Sequence, residues 1–114
     1  MRYAKGSTVA DIFWSADAIR DLESVESYLA TGSPSFARIY VKRLSRAVEV
    51  LKGLPRIGRM VPELEREDIR EVIFQNYRLP YQVSGDRVLV LAVKKMPLDL
   101  HRIFGPRLLP DFDP

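Results

Sequence analysis

Two helical stripes with almost nothing between them constrain this chain more than any other feature. Ala18, Ile19, Leu22, Val25 and Leu29 recur at helical spacing, and so do Ala37, Tyr40, Val41, Leu44, Ala47, Val48 and Leu51. Only Thr31 to Ser33 separate the two sets. A link that short makes the helices pack as an antiparallel hairpin. The flanking residues agree. Ser15 is an expected N-cap, and Asp17 sits in the first turn, where the helix dipole favours a negative charge. Pro34 opens the second helix at a position where its missing N–H costs nothing. Gly53 and Pro55 end it.

The hairpin has one apolar face to bury, and the rest of the chain offers strands to cover it. Val9 to Trp14 is short and β-prone. Ile69 to Gln75 and Tyr77 to Val83 read as two strands joined at Asn76, a residue that tolerates left-handed backbone angles. Tyr77, Leu79, Tyr81 and Val83 share one face. Ser84-Gly85-Asp86 is a hairpin turn leading into a fourth strand, Arg87 to Lys95. The apolar run from Val88 to Val93 suits an interior strand covered on both faces. Strict alternation groups Leu89, Leu91 and Val93 with Lys95, and Val88, Val90 and Ala92 with Lys94. The bulkier Leu-Leu-Val set is expected to face the helices, which leaves Lys94 on the open face. Pro80 donates no backbone hydrogen bond, so the third strand needs an edge stretch or a bulge there. Leu54 to Asp68 reads as a loop. The expected fold is an α+β sandwich of two layers in the order β-α-α-β-β-β, a helical hairpin on a small antiparallel sheet. Residues 1–95 form one domain. Residues 96–114 are a tail apolar enough to pack on that domain or on a partner.

Composition narrows the chemistry. The 114 residues suit a single domain, and 46% of them are apolar, enough for a core. No stretch approaches the roughly 18 apolar residues of a membrane span, and residues 1–13 lack the apolar centre of a secretory signal. The expectation is a cytoplasmic protein with no membrane contact. The absence of cysteine excludes disulfides and thiolate metal sites, and a single histidine, His101, excludes a histidine-rich one. No cofactor or metal is expected. The formal net charge is only +3, but it is unevenly spread. The first helix carries Asp17, Asp21, Glu23 and Glu26 against Arg20. The second carries Arg38, Lys42, Arg43, Arg46 and Lys52 against Glu49. Solvated faces with some cross-helix pairing account for such a split. The functional alternative is a basic face that meets an acidic partner.

Several pieces, taken in order, resemble the ParE/RelE family of toxins from bacterial type II toxin–antitoxin systems. The opening IFWSADAIRDLESVESYL is similar to the family's first strand and helix. Leu51, Pro55, Gly58 and Arg59 match its L-x-x-x-P-x-x-G-R ending of the helical hairpin. IREVIFQNYRLPYQVSGDRVLVLAV matches the I-R-E, Y-R-L-x-Y-x-V and V-x-V-L-x-V strands. The resemblance runs from about Ile12 to Val93 and leans to ParE-like members. It implies a small antitoxin encoded beside the toxin, and operator DNA bound only through that antitoxin. It implies one of two targets: RelE-like members are ribosome-dependent mRNA endonucleases, and ParE-like members poison DNA gyrase.

The residues discriminate between these targets. Cleaving RNA through its 2′-hydroxyl needs a base, cations around the phosphate and an acid for the leaving oxygen. Arg59, Arg70 and Arg78 are the candidate cations, with Arg56 nearby. At the end of the last strand, where some ribonuclease relatives carry His-Tyr, this chain has Lys94-Lys95, and no tyrosine follows Tyr81. His101 is the remaining candidate acid or base. A lysine serves as a base only if burial lowers its pKa by several units. Arg70 and Arg78 also have a structural alternative, pairing with Glu71 or the acidic first helix. Trp14, Tyr77 and Tyr81 are expected in the core. The ribonuclease set would thus be Arg59, Arg70, Arg78, Lys94 or Lys95, and His101. The incomplete acid/base set favours a toxin that inhibits DNA gyrase by binding it. Its candidate partner-binding residues are Arg38, Lys42, Arg46, Arg59, Arg78, Lys94 and Lys95. A third reading is an interaction module that keeps the fold without toxicity.

Overall fold

The computed structural model describes residues 9–96. The expected tail, with His101, lies outside the described residues except for Met96. Strand β1 is Asp11–Trp14, helix α1 Ala16–Ala30 and helix α2 Pro34–Arg46. A 3-10 turn, Glu49–Lys52, precedes β2 (Arg59–Met60), β3 (Ile69–Phe74), β4 (Tyr77–Ser84), β5 (Arg87–Val90) and β6 (Lys94–Lys95). The strands lie side by side in the order β1-β5-β4-β3-β2, with β6 also on β4.

Local chemistry sets the helix ends. The Ser15 hydroxyl accepts a hydrogen bond from the Ala18 N–H at 3.0 Å, and the Ser33 hydroxyl accepts one from the Phe36 N–H at 3.2 Å. Each meets a backbone donor that the helix leaves unpaired. The second helix is shorter than its apolar stripe. It ends at Arg46, and Leu51 reaches the core from the 3-10 turn instead.

The two helices cover one face of the sheet. Ala18, Leu44, Val48 and Leu51 meet Leu79, Tyr81, Val83, Val88, Val90 and Val93 there. Ile12, Trp14 and Tyr77 pack against the same cluster. Most of the sheet is antiparallel, but β1 runs parallel to β5, Ile12 opposite Val88. The sheet is therefore mixed. Both helices and strands β2 to β4 lie between the two paired strands along the chain.

The last strand departs from strict alternation. Tyr81 faces Val90, and Arg78 faces Lys94. Over that interval β4 advances three residues and its partner four. The extra residue is a bulge, placed where Pro80 offers no N–H, although the Pro80 carbonyl still accepts from Leu91 N–H at 2.8 Å. The proline is tolerated in the middle of the sheet because the facing chain bulges. The expected faces are reversed from Val88 to Leu91, and the bulge restores them at Ala92 and Val93. Val88, Val90 and Val93 point to the helices, while Leu89, Leu91 and Ala92 join Val61, Leu64 and Ile69 on the other side. Bulk was a poor guide to the face, because the smaller valines meet the bulky residues of the helices. At the β3–β4 turn the left-handed residue is Gln75, with φ 52°, and not Asn76. The β4–β5 turn places Gly85 at φ 61°, as the Ser-Gly-Asp signal implies.

Candidate functional site

The face of the sheet away from the helices holds a compact charged cluster. Arg59 on β2 lies opposite Glu71 on β3, and residues directly opposite share a face. Arg78 on β4 has the same orientation through its pairing with Ile73. Glu63 comes from the segment between β2 and β3. The Glu71 side chain is wholly buried, and the Arg78 side chain is 6% exposed. A buried charge persists only when paired and hydrogen-bonded, and these are. Arg78 Nε donates to Glu71 Oε1 at 2.7 Å, and its Nη1 and Nη2 donate to the two Glu63 oxygens at 2.6 and 2.8 Å. Arg59 Nε donates to the other Glu71 oxygen at 2.6 Å. Glu63 first, then Glu71, hold the Arg78 guanidinium above its ordinary pKa, against the opposing effect of burial.

Two arginines thus meet two carboxylates, and the cluster carries no net charge of its own. Arg70 lies on the helix-side register, opposite Tyr81, and is turned to backbone. Its Nη1 donates to the Gly58 carbonyl at 3.0 Å and its Nε to the Glu67 carbonyl at 3.1 Å. Of the two structural alternatives read from the sequence, Arg78 does pair with Glu71, while Arg70 binds carbonyls.

Tyr81 fixes the loop that carries Arg59. Its hydroxyl donates to the Pro55 carbonyl at 2.7 Å and accepts from Gly58 N–H at 3.1 Å. Burial raises the phenol pKa, so the hydroxyl stays protonated and able to donate. Gly58 is required by close approach. A Cβ there would lie 2.6 Å from the Glu71 carbonyl oxygen and 2.6 Å from the Tyr81 hydroxyl. Further along the same face, Asp68 accepts from Arg66 at 2.6 Å and from Gln82 at 2.9 Å. Burial alone would raise the Asp68 carboxyl, but the bonds from Arg66 and Gln82 outweigh it and leave it below the usual range.

Lys94 and Lys95 have different surroundings. Lys94 lies opposite Arg78 in the sheet, yet its ammonium is 3.3 Å from Asp21 on α1. The other Asp21 oxygen accepts from Val93 N–H at 2.9 Å. Asp21 therefore caps the strand edge and neutralises the lysine. Lys95 is exposed, opposite Tyr77. Arg38, Lys42 and Arg46 are remote from the sheet cluster, on the solvent side of α2. The structure thus brings Arg59, Arg78 and Lys94 to neighbouring strands and leaves the α2 cations as a separate surface. Glu63 had no periodic signal in the sequence. Glu71 did have one, an alternating position between Ile69 and Ile73. Among the described residues no group of three or more His, Cys, Asp or Glu side chains could hold a metal ion. Nor, among them, is any helix long and apolar enough to cross a membrane.

Residues 12–96 match the sequence profile of the ParE toxin of the type II toxin–antitoxin system parDE. The chain belongs to the ParE toxin family. The matched span includes every strand from Ile12 onward, both helices and the Arg59–Glu71–Arg78 cluster. Two solved structures share the fold. One is the chromosomal ParDE toxin–antitoxin system from Pseudomonas aeruginosa (P. aeruginosa), with a TM-score of 0.66 and 21% identity, over 78% of this chain and 98% of that one. The other is the RelBE2 toxin–antitoxin complex from Mycobacterium tuberculosis, with a TM-score of 0.52 and 22% identity, over 77% and 92%. No curated protein sequence matches the chain significantly.

Proposed function

We propose that this ParE-family toxin acts by binding: it inhibits DNA gyrase through a protein–protein surface and is neutralised by a cognate antitoxin. One observation carries the reading. Three of the cations at the positions a ribonuclease would use, Arg59, Arg78 and Lys94, are already paired with carboxylates. Glu63 and Glu71 hold Arg78, Glu71 holds Arg59, and Asp21 holds Lys94. A scissile phosphate entering that cluster would have to displace the buried Glu71 and the half-buried Glu63 from their partners. Its gain would be offset by the cost of leaving Glu71 buried without a counter-charge. The neighbouring folds come from toxin–antitoxin complexes, which supports an antitoxin as partner. Operator DNA is then bound through the antitoxin, in the cytoplasm, and no cofactor takes part.

Purified protein added to a gyrase supercoiling reaction should stop supercoiling or trap a cleaved-DNA complex. Unchanged supercoiling with no trapped complex removes the gyrase reading. New 5′ ends in translated message after induction would restore the endonuclease. Normal growth after induction without the antitoxin would favour a non-toxic interaction module.

A further inference from the structure

Between the middle of α1 and β6 lies an open groove of about 570 Å³, lined among others by Ser24, Val25, Tyr28, Tyr77, Val93 and Lys95. That volume is within the range of small-ligand pockets. Val25 and Val93 are almost wholly buried, while Tyr28 is 70% exposed. The two other lining residues, Asp21 and Lys94, are paired with each other, and the second Asp21 oxygen accepts from Val93 N–H. Lys95 is exposed and has no carboxylate partner among the described residues. The groove therefore offers an apolar floor and one spare positive charge. Its rim is also where the chain leaves the sheet. Met96 follows Lys95 directly, and its N–H is bonded to the Asn76 carbonyl at 2.6 Å. The next eight residues read PLDLHRIF.

We propose that this groove is the docking site of the chain's own segment 97–104, with Leu98 and Leu100 in the groove and Asp99 beside Lys95. Three observations select this occupant. The first is attachment. Leu100 is four residues from Met96, a reach of at most about 14 Å, so both leucines are confined to the surface around Lys95. A separate molecule of the same chemistry competes against a tethered one, whose effective concentration is on the order of millimolar. The second is spacing. In an extended segment Leu98 and Leu100 fall on one side and Asp99 on the other, which suits an apolar floor with a charged rim. The third is charge. Asp99 is the single acid of the segment, and Lys95 is the groove's single cation without a carboxylate partner among the described residues. Asp21, already engaged on both oxygens, stays with Lys94. A nucleic acid would find one spare lysine and would leave the apolar floor unused. The inference concerns the chain alone, and its test uses neither gyrase nor antitoxin, so it and the gyrase reading fail separately.

The chain has no cysteine, so two introduced ones form a unique pair. Ser24→Cys on the groove wall and Arg102→Cys beyond the leucines are joined by a short bismaleimide in the full-length protein. The initial rate of cross-linking within one chain is followed by mass spectrometry. Leu98→Ser/Leu100→Ser in the same background should cross-link about tenfold more slowly, and so should Tyr28→Ser. Tyr28 is exposed, so the thermal melt of Tyr28→Ser should overlay that of its background. Equal rates in all three proteins overturn the proposal, because the cysteines then meet only through attachment. An effect of the leucine substitutions without one of Tyr28→Ser also overturns it, since the segment then docks elsewhere. Cross-links between two chains, in place of links within one, assign the groove to a second copy and overturn it as well.

Discussion

Replacing Glu71 by alanine tests the charged cluster directly. The carboxylate is wholly buried and serves Arg78 and Arg59 at once, at 2.7 and 2.6 Å. Breaking a buried ion pair by removing one partner costs about 3–5 kcal/mol, largely because the surviving charge stays buried. Here Arg78 keeps both oxygens of Glu63, and Arg59, with its side chain 58% exposed, can turn to water. The low end of the range applies, about 3 kcal/mol. Domains of this size have only about 5–15 kcal/mol in total. A loss of 1 kcal/mol lowers the melting temperature by about 4–8 °C in a domain of 60–100 residues, so Glu71→Ala should melt about 12–24 °C lower. Glu71→Gln keeps the shape and one acceptor oxygen, and should fall between parent and alanine variant. Urea unfolding gives the free energies, and differential scanning calorimetry the melting temperatures. A loss under about 1 kcal/mol for Glu71→Ala would refute the account of the cluster as a buried, mutually dependent unit. The same variant separates binding from phosphate chemistry. Freed of Glu71, Arg59 should hold single-stranded RNA more tightly than the parent does, while Arg78 stays paired with Glu63. Weaker RNA binding in Glu71→Ala would mean that the paired arginines already form a phosphate cradle.

Three further outcomes follow from other contacts. Tyr81→Phe loses the bonds to Pro55 and Gly58, and should cost about 1–3 kcal/mol by urea unfolding because two backbone groups lose their partner. Ser15→Ala removes the α1 cap together with the 3.1 Å bond from the Ser15 hydroxyl to the Leu91 carbonyl, for a loss of about 1 kcal/mol in the same assay. Asp68 titrates below the usual carboxylate range in the fold, so its stabilisation is complete above the unfolded pKa of about 3.9 and is lost as pH falls through the folded value. Stability measured against pH should therefore fall less steeply on the acid side in Asp68→Asn than in the parent.

The helical hairpin was legible because its signals are local. Ser15 and Pro34 act within one turn, and the apolar stripes are local even though the second runs past α2 to Leu51 in the 3-10 turn. The β4–β5 turn was legible for the same reason, through Gly85. The parallel pairing of β1 with β5 was not, since it joins residues more than seventy positions apart. The face of β5 was misread because bulk was the only guide to which alternating set met the helices, and the extra residue between Val90 and Lys94 was hinted at only by Pro80, on a different strand. At the candidate site, Arg59, Arg78 and Lys94 could be named as basic residues near strand ends. What they do depends on Glu63 and Asp21, which come from a loop and from a helix. No spacing along the chain relates either acid to the cation it neutralises.

That dependence bears on how one fold serves two chemistries. In a sheet with helices on one face, the other face brings side chains from β2, β3, β4 and β6 within reach of one another. Basic residues placed there can hold a phosphate only while their counter-charges are absent. In this chain Glu71 occupies an alternating position between Ile69 and Ile73, so the backbone aims it at the arginines whatever the loop does. Glu63 then completes Arg78 with two bonds from one carboxylate, the arrangement in which a guanidinium is most strongly held. The cost of reopening the cluster falls on a buried glutamate rather than on a mobile surface pair. A switch to phosphate chemistry at this face would therefore require changes at Glu63 and Glu71 together, because removing either alone leaves Arg78 still bound to the other. Among the described residues, exposed cations outside the cluster's ion pairs include those on α2 and Lys95.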